Sequence, residues 1–384
     1  MTVYIITQGS RIVREGRHLL VKLGDSIYHT LFTYRLSQLV LVGNITLTPP
    51  AMKLLLREGI DTVFLRQDGR YQGRLAQVEP RNVFLRKRQF LLTDDEKFCL
   101  SISKRILTGK LLNMLTVVLR IQRTRSATIS GDPVNEIRRM SKRIETAKSL
   151  EELRGVEGQA AASYFPALRF GLKNPMGFEK RIRRPPTDPV NSVLSLLYTF
   201  IINRAYAAVR VAGLDPYPGV LHSLDYGRYS LPLDLVEEFR PIIADTLTLA
   251  LFNLGVLQQE DFYTFTPPQP EDLDRSEDII DSAVNDSIGK MNLTSDDDSF
   301  DIPEQRMEQD YQVDGTTSSK PSVKLHTDAF GKVVKAFEKK ISTEFYHPIA
   351  EKKMNYGDAM IFQARLYRKV VEGEAAEYHP LLLK

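Results

Sequence analysis

One histidine and a group of carboxylates have the spacing of a site for a divalent cation. His222 lies in the polar segment GLDPYPGVLHSLDYGRYSLPLDLVEEFRP, 213–241. PLDLVEEFR predicts a helix start, on which Asp234 is three residues from Glu237 and four residues from Glu238. Residues at those spacings lie on the same face of a helix. The segment therefore predicts two carboxylates on one helix face, near an imidazole.

A further carboxylate, Glu157, lies in RGVEGQAAASYFPAL, 154–168. On a helix it shares a face with Ala160, Ala161 and Tyr164, at three-, four- and seven-residue spacing. The alanines let a second helix approach closely, and a buried charge is unfavourable without a partner. A cation is one such partner.

Glu157, His222 and a second glutamate form a set that favours Mn²⁺ or Mg²⁺ over zinc, because the set is rich in oxygen. Such an ion polarises a phosphodiester and activates a hydroxyl for in-line attack. A structural interpretation fits the same residues: a salt-bridged helix glutamate, a loop histidine and a solvated helix start at EEFR. The residues by themselves leave both interpretations open.

Basic side chains before a helix N-terminus form a candidate phosphate site in GFEKRIRRPPTDPVNSVLS, 177–195. Charge and backbone N–H groups can both hold a phosphate there, although a solvated basic loop is the alternative. Asn191 and Ser195, four residues apart on the next helix, would orient a ligand or bridge two helices. The candidate DNA contacts in the chain are Tyr164, Lys180, Arg181, Arg183, Arg184 and Arg228.

Charge is unevenly distributed along the 384 residues. The formal net charge is +4, but residues 260–320 hold 17 acidic and 4 basic side chains, so the rest of the chain carries +17. A basic body indicates a polyanionic partner, most commonly nucleic acid. No P-loop is present, and Cys99 is the single cysteine, which excludes a multi-thiolate zinc site within one chain. No run of 18 apolar residues and no secretion signal are found, so we expect a cytoplasmic protein that does not contact a membrane.

The elements that position these residues indicate an α+β fold. We predict an N-terminal β-rich domain over 1–80, a linker over 81–95, and a larger all-α helical domain over 96–384 that carries the metal site. A flexible acidic insertion, 266–321, is predicted between two helices, because its hydrophobicity is low and its charge high. In the first domain we predict strands in 3–8, 10–23, 36–43 and 44–48, a helix from Pro49, and a hairpin over 61–78 that turns at Asp68-Gly69. In the second we predict helices over 98–124, 134–149, 150–170, 188–213, 231–257 and 327–372.

Read together, these segments resemble the CRISPR adaptation integrase, the family known as CRISPR-associated endonuclease one. The order and spacing of the motifs carry the resemblance, over nearly the whole chain except 266–321. The matching segments are VYIITQGSRIVREG, LVLVGNITLT, GIDTVFLRQDGRYQGRL, RGVEGQAAASYF, RRPPTDPVNSVLSLLY, GLDPYPGVLH and GRYSLPLDLVEEFRP. The insertion departs from the family pattern, which would run from DFYTF almost directly to SVKLHTDAF.

The resemblance implies a metal-dependent DNA endonuclease and integrase. Family members join the 3′ hydroxyls of short DNA fragments to the repeat of a CRISPR array, as homodimers that form through the β-domain and assemble with CRISPR-associated protein two. The family's metal ligands match Glu157, His222 and Glu237, with Asp234 as a supporting acid. Double-stranded DNA is the implied partner. Two alternatives remain: a hydrolytic metal-dependent nuclease acting on branched or damaged DNA, and a non-catalytic DNA-binding scaffold. The insertion is interpreted as an inert or weakly regulatory loop, against the alternatives of DNA mimicry or partner recruitment.

Overall fold

The computed structural model describes residues 1–75, 82–124, 131–183, 185–266 and 321–383. Two sequence predictions fall largely or wholly outside these ranges: the candidate contact Arg184 and nearly all of the acidic insertion, 267–320. Within the described ranges the predicted α+β class is confirmed, with β-sheets first and a mostly helical region after them.

Two four-stranded sheets form the N-terminal region. The first has the strand order β1-β5-β7-β8, in which the first three strands are parallel and β8 is antiparallel. The second has the order β4-β3-β2-β6. Their strands are β1 Thr2–Ile5, β2 Arg11–Glu15, β3 His18–Leu23, β4 Ser26–Phe32, β5 Gln38–Val42, β6 Thr46–Leu47, β7 Asp61–Leu65 and β8 Tyr71–Leu75.

Turn chemistry predicted this region well. The predicted hairpin turn is confirmed: Gly69 has a φ of 83°, which glycine adopts readily, and Arg70 donates to the Asp68 carboxylate. Helix α1, Pro49–Arg57, begins at the predicted proline. Strand β4 was not predicted from the sequence, because it is a mostly exposed edge strand without a buried apolar run.

Strand β5 links the two cores of the molecule. Leu39 and Leu41 face α1 and the second sheet, whereas Val40 and Val42 face the helical region. Successive side chains of a strand point to opposite faces, so a strand covered on both sides reads as a continuous apolar run, as LVLV does here. The first sheet therefore packs directly on the helices.

Nine of the described α-helices follow the N-terminal sheets, and most lie where the spacing predicted them. They are α2 Val83–Thr93, α3 Glu96–Thr124, α4 Pro133–Thr146, α5 Leu150–Gly171, α6 Pro189–Val211, α7 Ser230–Val236, α8 Thr246–Asn253, α9 Thr327–Ile341 and α10 Tyr356–Glu372, the first of which lies in the predicted linker. In α2, Asn82 caps the N-terminus and Arg86 pairs with Asp215 at 2.8 Å, so this segment is anchored to the helical region.

Two of the helices predicted for the helical region are interrupted in the structure. The segment 231–257 is α7, a π-helical turn over Arg240–Asp245 and α8, because Pro241 lacks the N–H that a continuous helix needs. The segment 327–372 is interrupted by a hairpin of β11 Glu344–His347 and β12 Lys352–Asn355, which spans Pro348. The region is therefore not all-α.

The acidic insertion follows strand β9 and precedes strand β10, and these two strands pair with each other. β9 Phe262–Phe265 and β10 Ser322–Leu325 are antiparallel, and Phe265 pairs with Ser322. The prediction that the insertion joins two helices is therefore wrong, and its two ends are adjacent.

Helix α6 is the one helix of the described ranges that is long and apolar enough to cross a membrane. Most of its apolar window, 67%, is buried in the fold, as in the core helix of a globular protein.

Candidate active site

Glu157 and Glu237 meet at a single point, which the ammonium of Lys110 occupies. Lys110 on α3 lies 2.5 Å from Glu157 Oε1 and 2.5 Å from Glu237 Oε2. Glu157 comes from α5, and Glu237 follows the last residue of α7. The structure thus brings together two of the three predicted ligands, from two different helical segments.

Positive charge surrounds Glu237, whose side chain is only 4% exposed. The Arg240 Nε atom lies 3.1 Å from Glu237 Oε1, and its guanidinium stacks 4.7 Å from the Tyr198 ring centre. Burial alone would raise the pKa of Glu237, but Arg240, Lys110 and His222 outweigh it and lower that pKa to about 2. Glu237 is therefore an anion at any physiological pH.

The same ion pairs raise the pKa of Lys110, whereas they lower the pKa of Glu237. Burial would lower the pKa of its ammonium, and the carboxylates of Glu157 and Glu237 more than offset this, so the pKa is raised. Lys110 is therefore a cation held between two anions. Lys110 is not among the candidate site residues of the sequence analysis.

Asp234 organises the histidine segment. Its Oδ1 atom lies 2.6 Å from His222 Nδ1 and accepts the His222 backbone N–H at 3.0 Å. Its Oδ2 atom accepts the N–H groups of Val220 and Leu221. A carboxylate beside Nδ1 favours the tautomer that carries its proton there, which directs the lone pair of Nε2 outward for a ligand.

Two further contacts fix this segment against its neighbours. A side chain at Gly219 would place a Cβ 2.7 Å from Asp234 Oδ2, so the close approach requires glycine. Arg154, on the same helix as Glu157, donates to the Leu221 carbonyl at 2.8 Å. The histidine segment is thus tied to both carboxylate-bearing helical segments.

The residue types fit a divalent cation. Two carboxylates already converge on one cationic nitrogen, and His222 is close enough for its charge to lower the pKa of Glu237. The buried Glu237 Oε2 atom has the Lys110 ammonium as an ion-pair partner but no hydrogen bond of good geometry. Within the described residues, no group of three His, Cys, Asp or Glu side chains is arranged as a ready metal cluster. Lys110 lies where Glu157 and Glu237 meet.

Glu238 faces away from this site. Of the three acidic residues near the end of α7, Asp234 contacts His222 and Glu237 contacts Lys110. Glu238 accepts from Gln363, from the Tyr378 hydroxyl and from the Leu381 N–H. Burial raises its pKa to about 8. Its function is to hold the C-terminal tail.

Tyr164 does not reach the surface, contrary to its predicted contact with a DNA strand. Its side chain is 1% exposed, and its hydroxyl donates to Asp245 Oδ2 at 2.7 Å. Tyr198 donates to the other oxygen of Asp245, also at 2.7 Å. Burial raises the pKa of Asp245 to about 6, although both hydroxyls act to lower it. Tyr164 therefore belongs to a buried Tyr–Asp–Tyr cluster that supports the π-helical turn.

The predicted basic cluster is divided by the structure. Lys180 and Arg183 are exposed, whereas Arg181 donates to Asn191 and Ser195 on α6. Asn191 and Ser195 therefore fasten a loop to their helix, close to the predicted bridging role.

The other phosphate-binding features of this region are also engaged within the fold. Asp188 caps α6 by accepting the Asn191 N–H at 2.8 Å, so that group is not available for a phosphate. Arg228 is buried, at 6% exposure. Arg184 lies outside the described residues.

Sequence comparison gives a consistent assignment. The family model described as CRISPR associated protein Cas1 matches residues 3–266. Two proteins of Thermus thermophilus named CRISPR-associated endonuclease Cas1 are similar: one is 29% identical over 384 residues, covering 100% of this chain and 97% of its own length. The other is 35% identical over 260 residues, covering 67% of this chain and 77% of its own length.

Solved structures share the fold. A Cas1 protein of Thermotoga maritima matches with a TM-score of 0.74 at 18% identity, over 100% of both chains. A casposase bound to an integration product matches with a TM-score of 0.76 at 18% identity, over 98% of this chain and 92% of its own. A chain of a Cas6-RT-Cas1–Cas2 complex gives a TM-score of 0.76 at 21% identity, and this chain spans 36% of that longer chain.

The family match over residues 3–266 and the 35% identity to a curated Cas1 endonuclease show that the chain belongs to the CRISPR-associated Cas1 family of enzymes.

Proposed function

We propose that this chain is a divalent-cation-dependent DNA integrase that joins the 3′ hydroxyl of a short DNA fragment to a CRISPR repeat by transesterification. The convergence of the Glu157 and Glu237 carboxylates on one cation position, next to a histidine oriented by Asp234, carries the proposal. Glu157, His222 and Glu237 are the proposed ligands of Mn²⁺ or Mg²⁺. When bound, such an ion would polarise the phosphodiester and activate the attacking hydroxyl.

The remaining residues act on the ligands and on the charge of the site. Asp234 holds the His222 imidazole in one tautomer and orientation. Arg240 keeps Glu237 anionic, and stacking on Tyr198 fixes the guanidinium itself. Lys180 and Arg183 are exposed and remain the candidates for contact with the DNA backbone, which would give affinity without reading sequence.

Double-stranded DNA, a second copy of the chain and CRISPR-associated protein two are the proposed partners. The casposase of the same fold is bound to an integration product, and another structure of this fold is a Cas1–Cas2 complex, which supports a joining reaction and the second protein. The homodimer through the β-domain and a cytoplasmic location remain predictions.

Hydrolysis of DNA is the second candidate function, because the curated relatives are named endonucleases. The same residues would serve, with water in place of the 3′ hydroxyl as the nucleophile. The two reactions therefore differ in product and not in site.

The test is a joining assay. The purified protein is incubated with its array DNA and a labelled short duplex bearing 3′ hydroxyls, with Mn²⁺ or Mg²⁺, in the presence and absence of CRISPR-associated protein two. We expect joined product that requires the metal and falls at least about 100-fold in Glu157→Ala, His222→Ala and Glu237→Gln. Glu238→Gln is the matched control: it is adjacent in sequence but faces the C-terminal tail, and it should retain joining.

Each outcome has a distinct meaning. Metal-dependent cutting without joining, with the partner present, would favour the nuclease. DNA binding that is identical in the wild type and Glu157→Ala, with no chemistry in either, would leave only the scaffold.

A further inference from the structure

The position of Lys110 differs from that of two other basic residues of α3, Lys104 and Arg105. Lys104 donates to a backbone carbonyl, that of Glu145, and the Arg105 guanidinium pairs with Glu377 in solvent. Lys110 instead lies at 13% exposure with its ammonium between Glu157 and Glu237. Both N–O distances are 2.5 Å, and the contact with Glu157 is also a hydrogen bond.

An ammonium and a divalent ion cannot share this point. An ion bound by both carboxylates would lie roughly 2.1 Å from their oxygens, which is nearly the position that Lys110 Nζ holds. Two cations so close would also repel each other strongly in a site screened from water. Occupation by one therefore excludes the other.

The metal-free site also needs a cation of its own. Glu237 is buried and Glu157 is partly buried, so without a shared cation their facing charges would repel each other. Arg240 contacts Glu237 on its other oxygen, Oε1. Lys110 contacts both carboxylates.

We propose that Lys110 is an internal counter-cation, which occupies the divalent-ion position of the metal-free protein and is displaced when Mn²⁺ or Mg²⁺ binds. The inference rests on the proposed function for the identity of the ligands. A lysine suits this role because its compact charge is carried on a flexible four-carbon stem, so it can leave the site by rotation about side-chain bonds. The apparent affinity for the ion is then reduced by the fraction of time that the ammonium occupies the site.

The test measures Mn²⁺ binding by titration with electron paramagnetic resonance, and metal-free thermal unfolding, in Lys110→Met. Lys104→Met on the same helix is the matched control. We expect metal-free Lys110→Met to melt about 5–10 °C lower, because two anions lose their cation. Mn²⁺ should bind about tenfold more tightly than to the wild type, as expected if the ammonium fills the site about 90% of the time. Lys104→Met should change neither quantity appreciably.

A second variant decides the question if Lys110→Met does not fold without metal. Lys110→Arg keeps the charge and adds a planar fork that pairs well with carboxylates, so it should bind Mn²⁺ more weakly than the wild type. Unchanged or weaker Mn²⁺ binding in Lys110→Met, or unchanged binding in Lys110→Arg, would overturn the inference.

The inference and the proposed function fail separately. A wild type that joins DNA with Mn²⁺ while Lys110→Met binds the ion no more tightly would refute displacement and leave the integrase standing. Tighter Mn²⁺ binding in Lys110→Met, together with a wild type that forms no joined product, would support displacement of Lys110 and refute the integrase. Absence of Mn²⁺ binding in the wild type and both variants would make the lysine a permanent partner of the carboxylates and overturn the inference.

Discussion

Asp234 is the residue around which the histidine segment is folded. Its side chain is completely buried, and its two oxygens accept three backbone N–H groups as well as facing His222 Nδ1. A carboxylate is well suited to this position because it only accepts hydrogen bonds when ionised. Outer-shell partners of this kind fix the orientation and basicity of a metal-binding histidine.

Replacing Asp234 should therefore weaken metal binding without removing a ligand. In Asp234→Asn one oxygen becomes an NH₂ group, which must face backbone donors or His222 Nδ1–H. We expect Mn²⁺ affinity to fall about 10–100-fold, measured by titration, while cooperative unfolding is retained. Asp225→Asn, in the same segment, should change the affinity less than about twofold; equal affinity in Asp234→Asn and the wild type would contradict the role assigned here.

Predictions for single residues succeeded in some cases and failed in others. Sequence spacing shows which residues share a helix face, but it does not show what packs against that face. The spacing placed Asp234 and Glu237 on one helix face, and in the structure Glu237 contacts Lys110 while Asp234 contacts His222. Arg240, three residues after Glu237, offered the same kind of signal for an ion pair, which the sequence analysis did not use. Tyr164 shares a helix face with Glu157, yet it is buried against Asp245, 81 residues away. Nothing local distinguishes a tyrosine at the surface from one under the next helix.

At the scale of elements, helix α3 connects the site to the C-terminal tail. Asn113, one turn after Lys110, donates to the carbonyls of Glu238 and Leu381 and accepts the Leu383 N–H. Gly109 lies against Pro380, where a Cβ would be 2.4 Å from the proline Cβ. The tail can approach the helix this closely only because that position has no side chain.

Gly109→Ala should be destabilising, although alanine is ordinarily the better helix residue. We expect the clash with Pro380 to cost about 1–3 kcal/mol in the free energy of unfolding, measured with urea. Gly155→Ala on α5 is the matched change, because a Cβ there meets nothing within 4 Å, and it should stabilise by about 0.5–1 kcal/mol. Equal effects of the two substitutions would show that the tail does not pack as described.

Helix boundaries were predictable where a proline at the helix start marks them locally. They were not predictable where a proline lies inside a long apolar periodicity. Pro49, Pro133 and Pro189 each follow a suitable residue and begin a helix in the structure. Pro241 and Pro348, by contrast, lie within long apolar periodicities, and the sequence analysis gave the periodicity more weight than the proline. In the structure the predicted helix is interrupted near both prolines, by a π-helical turn at Pro241 and by a hairpin at Pro348.

At the scale of the whole molecule, the acidic insertion starts and ends at one pair of strands, β9 and β10. Its ends are adjacent because Phe265 pairs with Ser322, so residues 267–320 can be replaced by a short turn without separating β9 from β10. The removed segment contains 15 acidic and 4 basic residues, and its deletion raises the formal net charge from +4 to +15.

We expect this deletion to leave the melting temperature nearly unchanged and to alter DNA affinity less than about twofold at physiological salt. Screening over about 8 Å limits the effect of distant acidic charges on a DNA contact. The measurement is the dissociation constant for duplex DNA as a function of salt concentration. A large gain in affinity that disappears at high salt would instead assign the insertion a DNA-mimicking role and would refute the inert interpretation.

The sequence by itself determined the fold class, the turns, most helix starts and the residue types of the site, because these depend on neighbours within a few positions. Tertiary structure alone decided that Lys110 lies between Glu157 and Glu237, that Glu238 serves the tail, and that Tyr164 is buried. Those contacts join residues far apart in the chain, 47 positions apart for Lys110 and Glu157. Their geometry follows from how whole helices pack, which no local pattern encodes.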